Sequence, residues 1–179
     1  MVKSKTTKRK KKPKWLEKDG VIYFSVTSDG TSGEEWVKRL RGNRFRVGCY
    51  ARHLLCSPSF VPTSDITTKV AILKSMLFKD NDLVKSKICA EAKRRKLSKP
   101  NAEVACLIRE KFSDADIKAM GLICIVAMHE SSCAMGYGPY LLDANRYDDG
   151  RWLGTYDVGP GNGWCHGYGF AFAVSQTQS

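Results

Sequence analysis

The chain lacks most of what familiar chemistries need. It has three histidines, and its seven cysteines (Cys49, Cys56, Cys89, Cys106, Cys124, Cys133 and Cys165) contain no C-x-x-C pair, which excludes paired zinc knuckles and a thioredoxin-type redox motif. An odd number of scattered thiols fits reduced cysteines better than a disulfide framework, so a cytoplasmic setting is expected. No apolar run approaches the ~18 to 20 residues that cross a bilayer. The first residues are lysine-rich with no hydrophobic stretch behind them, so neither membrane spanning nor secretion is expected. No internal repeat is visible, which excludes solenoids and propellers.

What is present suits one compact domain: 179 residues, 42% of them hydrophobic, can bury a real core. The formal net charge of +12 is unevenly placed. Lys3, Lys5, Lys8, Arg9, Lys10, Lys11, Lys12 and Lys14 meet no acid within residues 1–14, whereas residues 113–179 carry three bases and seven acids. Such a leader repels itself and has nothing apolar to bury, so it is expected to stay extended until it meets a polyanion. The expected division is therefore a disordered basic arm over residues 1–18 and a globular domain over 19–179.

Val21–Thr27 is β-branched and aromatic enough for a strand. Ser32 with Glu35 forms a capping box ahead of Trp36, Val37 and Leu40, and Gly42 ends that helix. A second helix fits 48–56, with Tyr50, Leu54 and Leu55 inward. The stretch 67–73 is an ambiguous strand. Helices are expected over 81–96, 101–112 and from the Ser113 cap to Gly121. Leu122–Met128 has no polar face and reads as a strand buried on both sides. Asp149-Gly150 marks a hairpin, and Tyr168–Val174 a last strand. The order predicts an α+β single domain, its sheet mixed or antiparallel, with N-terminal and central helices and a β-rich C-terminal third.

The segments Asn101–Glu110, Asp148–Leu153 and Tyr168–Phe172 are similar to a set of uncharacterised bacterial proteins, over most of residues 25–175. That resemblance implies no activity, cofactor or substrate. A bacterial source would turn the Lys8–Lys14 cluster away from a nuclear address and toward a nucleoid-associated one.

Three classes of function compete. The first is non-specific binding of DNA or RNA through Lys8, Arg9, Lys10, Lys11, Lys12 and Lys14, joined by the basic helix at Lys93, Arg94, Arg95 and Lys96; two cationic elements on one strand raise avidity. The second is a small metal-free nuclease or hydrolase. His129 and Glu130 leave the most buried strand, His166 follows in the C-terminal loops, and Arg146 or Arg151 could stabilise a phosphorane. The third is a protein-interaction module with a protein partner. Cys124, His129, Cys133, Cys165 and His166 have zinc-ligand types, but Cys124 sits in an apolar strand, so neither metal nor cofactor is expected. Glu91 with Asp80 or Asp82 falls on one amphipathic helix, a poor nuclease core. The aromatic C-terminal third, Tyr137 to Phe172, suits core packing and could also line a groove.

Overall fold

A computed structural model describes residues 14–175. Lys8, Arg9, Lys10, Lys11 and Lys12 lie outside the described residues. One mixed sheet organises the chain. Its strands are β1 (Leu16–Lys18), β2 (Val21–Asp29), β3 (Arg46–Val47), β4 (Ser64–Lys74), β5 (Leu97–Ser98), β6 (Cys124–Ala127), β7 (Ser132–Ala134), β8 (Tyr137–Tyr147), β9 (Gly150–Asp157) and β10 (Tyr168–Val174). They run β1-β2-β4-β10-β6-β8-β9-β3, with β5 beside β10 and β7 beside β8. The last strand enters the middle, parallel to β6 and antiparallel to β4. Val126 and Ala171 are accordingly buried on all sides, as an unbroken apolar run requires.

Five helices cover this sheet among the described residues: α1 (Gly33–Gly42), α2 (Cys49–Leu55), α3 (Lys85–Arg94), α4 (Glu103–Lys111) and α5 (Asp114–Ala119). One face packs against α1, α2, α4 and α5, through Trp36, Leu40, Leu54, Leu55, Val104, Ile108 and Ile117. The other face packs against Ile88 and Ala92 of α3 and against Val158 and Trp164. Both predicted capping boxes form: Glu35 N–H donates to Ser32 Oγ at 3.4 Å and Asp116 N–H to Ser113 Oγ at 3.2 Å. None of these helices is long and apolar enough to cross a membrane among the described residues.

The α+β class, the single domain and the β-rich C-terminal part agree with expectation, and four details differ. Strand β1 pairs with β2, and Trp15 sits edge-on to Phe112 with ring centroids 6.0 Å apart. The ordered body therefore begins before residue 19, at the expense of the expected arm. Helix α3 starts at Lys85 rather than 81, because Leu83 O accepts from Trp164 N at 2.8 Å and Val84 bridges Gly163, which keeps Leu83 out of the helix and holds Val84 extended. Tyr50 turns outward. The short strands β1, β3, β5 and β7 have two or three residues each, too few to show a period.

Candidate functional site

The structure separates the expected catalytic residues. His129 leaves β6 almost fully buried; Leu142 N–H donates to its Nε2 at 2.9 Å, and its Nδ1 lies 2.6 Å from Glu130 O. An accepting Nε2 fixes the proton on Nδ1, so both nitrogens are engaged, and burial holds the ring's pKa below its ordinary value. His129 is thus a neutral brace between β6 and β8. Glu130 is exposed and bound to Lys99 Nζ at 2.5 Å, which keeps its carboxyl below the usual range. His166 Nε2 instead meets Asp80 Oδ1 at 2.6 Å. Cys124 lies opposite Tyr168, and Ile123 N–H donates to Gly167 O. His166 is therefore level with the start of β6 and His129 lies past its end, about 23 Å away at ~3.3 Å per residue. Across that distance the two imidazoles cannot act as base and acid on one reacting phosphate.

The five residues weighed for zinc are also dispersed. Cys124 is enclosed and its thiol is raised well above the ordinary range by burial, whereas Cys133, Cys165 and His166 face solvent. Among the described residues no three His, Cys, Asp or Glu side chains gather closely enough to hold a metal ion.

The basic helix is partly neutralised. Arg94 makes two hydrogen bonds of 2.7 Å to Glu91, and Arg95 Nε adds a third at 2.6 Å. These two guanidinium groups hold the Glu91 carboxyl at about 2. Lys93 and Lys96 remain exposed. Helix α3 also lies on the opposite sheet face from α1 and α2. Lys14, at the first described position, bonds Asp116 of α5 at 2.6 Å. The chain therefore emerges on the same face as α1, whose Arg39 grips Glu110 with two contacts of 2.6 Å, two residues from Phe112.

The α1–β3–α2 unit is the feature that motif reading passed over. Residues 36–64 contain Lys38, Arg39, Arg41, Arg44, Arg46 and Arg52 and no acid at all, a signal visible in the sequence once acids as well as bases are counted. Arg39 is tied to Glu110 and Asp29, and Arg46 to Asp149 at 3.1 Å. Lys38, Arg41, Arg44 and Arg52 are exposed, with no carboxylate at ion-pair distance among the described residues. Lys38, Arg41 and Arg52 share a cleft of about 280 Å³ between α1 and α2, with Val37, Cys56 and one acid, Glu34. Gly33 makes the cleft possible. A Cβ there would stand 1.7 Å from Leu55 O, so only glycine lets the start of α1 meet the end of α2.

Beside α2 lies an aromatic group. Tyr50 stacks on Tyr140 with centroids 5.0 Å apart and planes 19° from parallel, and Tyr137 approaches Tyr50 edge-on at 6.3 Å. A larger cavity of about 370 Å³ sits near His129, but two of its polar side chains are already bonded: buried His129 as above, and exposed Asn101 to Val61 O at 3.0 Å and Glu103 N at 3.2 Å.

Fold and surface together define a single-domain α+β protein with a cationic helical face, in which His129 and His166 lie far apart. No protein-family model, curated protein or solved structure matches the chain.

Proposed function

We propose that this protein binds nucleic acid without sequence specificity, as a polyanion, through the α1–α2 face together with the basic leader. The observation that carries the reading is the cleft of Lys38, Arg41 and Arg52, three convergent cations with no carboxylate partner. Like charges brought this close repel one another, so a phosphate placed among them relieves repulsion as well as releasing condensed counterions. Arg41 and Arg52 have no side-chain hydrogen-bond partner among the described residues that would fix a guanidinium against a base edge, so contact is assigned to the backbone. Lys8, Arg9, Lys10, Lys11 and Lys12 add their charge to this reading from the chain before Lys14, which is itself bonded to Asp116 of α5 on this side of the sheet. The expected role of Lys93–Lys96 shrinks to that of Lys93 and Lys96, because Glu91 engages Arg94 and Arg95.

The test is titration of a labelled oligonucleotide with the full chain at several salt concentrations. Each lost phosphate contact lessens the steepness of log K against log salt by about 0.9 on a duplex and about 0.7 on a single strand, so K38A/R41A/R52A should lessen it by about 2.7 or about 2.1 and weaken binding at every salt concentration. The paired change K93A/K96A should matter less. Undiminished binding by the triple variant refutes the assignment.

A further inference from the structure

We infer that the natural polyanion is a single strand of nucleic acid whose unpaired bases stack on Tyr50 and Tyr137; the inference rests on the polyanion reading of the α1–α2 face. Tyr137 is 63% exposed, Met135 54% and Tyr50 36%, a cluster of large apolar groups turned to solvent where core packing alone would turn them in. Tyr140 holds Tyr50 flat from below, and Tyr137 touches it only by an edge. That leaves ring surface open for a further π system.

Helical geometry joins these rings to the cations. On α2, His53 lies three residues from Tyr50 and so flanks it, while Arg52 lies on the opposite flank and faces Lys38 and Arg41 across the cleft. A path crossing α2 therefore meets Lys38 and Arg41, then Arg52, then His53, then Tyr50, and ends at Tyr137. With a helix about 10 Å across, the path is about 15 to 20 Å long, the span of a few nucleotides. Phosphates come first along it and bases second. Asp157 lies at the far edge beside Tyr140, with Oδ1 accepting from Gly159 N–H at 2.8 Å, outside the phosphate portion of the path.

This order separates a single strand from the other polyanions. In a duplex both faces of every base are covered, so Tyr137 finds nothing to stack on, and only the cleft contributes. A strand with splayed bases uses both parts. The rings do not touch the sugar, so DNA and RNA strands should bind alike. A protein partner would cover Tyr50 and Tyr137 without needing the row of unpaired cations beside them.

The experiment compares fluorescein-labelled oligo(dT) and oligo(U) with a duplex of equal length and with inorganic polyphosphate as competitor, using the full chain. Both single strands should bind about tenfold or more tightly than the duplex. Y50A/Y137A should weaken strand binding about tenfold or more while polyphosphate competition is unchanged, and Y50F/Y137F should retain it. Should Y50A/Y137A also lose polyphosphate, Y137A alone decides, being a change at an exposed ring: severalfold weaker strand binding supports stacking, and unchanged binding overturns it. Equal affinity for strand and duplex overturns the single-strand inference and leaves the polyanion reading standing. Absence of salt-sensitive binding to any of the four probes overturns both.

Discussion

Asp143 offers the sharpest quantitative test of the fold. It lies on β8, 2% exposed, and its Oδ1 accepts from Asn145 Nδ2 at 2.5 Å with no cation beside it. Directly across the ladder is Gly154, where a Cβ would fall 2.8 Å from both Asp143 Oδ1 and Asn145 Nδ2, so the two side chains lean over a bare backbone. Burial raises the carboxyl to about 7, against the partial opposing effect of the Asn145 amide and the Gly154 backbone. Between pH 4 and 7 the unfolded chain is ionised at this residue while the folded protein keeps the proton. The folded state then binds more protons, and stability must fall as pH rises, levelling off above 7. From an ordinary value of 3.8 to about 7, at 1.36 kcal/mol per pH unit, the loss between pH 5 and 8 is about 2 to 3 kcal/mol. Asp143→Asn keeps the shape and the acceptor for Asn145 but cannot ionise. Urea unfolding of both proteins from pH 5 to 8 should show the difference between them growing by about that amount in favour of the variant. Contributions from Asp29, Glu91 and His129 are common to both and cancel. Parallel curves would refute a protonated, buried Asp143.

Two further changes probe the supports of the candidate site. Gly33→Ala drives a methyl into Leu55 O and should cost at least about 3 kcal/mol in a denaturation curve or displace α2, with polyanion affinity falling in step; a variant of unchanged Tm would refute the close α1–α2 approach. His129→Ala leaves Leu142 N–H buried without its acceptor and should cost about 1 to 3 kcal/mol, while oligonucleotide affinity and RNA integrity on incubation stay as in the wild type. Loss of an RNA-cleaving activity in that variant would restore the catalytic role that the geometry withholds.

Local signals carried most of the fold. Ser32 and Ser113 start helices through bonds within four residues, and the chain turns from β8 into β9 over Asp148 and Asp149, one residue before the Asp149-Gly150 signal. Leu122–Met128 declared a doubly buried strand by having no polar side. What stayed hidden depends on distant partners. Residues 83–84 have helical spacing of apolar groups, but the loop at Gly163–Trp164 takes their backbone bonds. The place of β10 between β4 and β6 follows from no pattern inside β10. Tyr50 has the spacing of a buried residue on α2, yet the neighbouring surface offers it Tyr137 and Tyr140 at the rim rather than a core. Functional residues were less legible still. His129 and Glu130 lie where a catalytic pair would be sought, and only the bond from Leu142 N–H reveals a brace.

Charge pairing, rather than charge density, distinguishes the two cationic surfaces. The run Lys93–Lys96 is denser in bases than any stretch of α1 or α2, and by density alone it is the better phosphate site. Its guanidinium groups, however, are held by a carboxylate one turn earlier through bonds of 2.6 to 2.7 Å, so a phosphate recruited there meets the like charge of Glu91 and must displace it or share the guanidinium groups with it. Around Lys38, Arg41 and Arg52 no such exchange is needed, since Glu34 lines the cleft without pairing with any of them. The same reasoning fixes what Glu91→Gln should do. Freed of its carboxylate, α3 gains two unpaired arginines, and the variant should bind polyphosphate more tightly than the wild type, with a steeper salt dependence by up to about two phosphate contacts. An unchanged salt slope would mean that Glu91 does not occupy Arg94 and Arg95 in solution, and the contrast between the two faces would lose its physical basis.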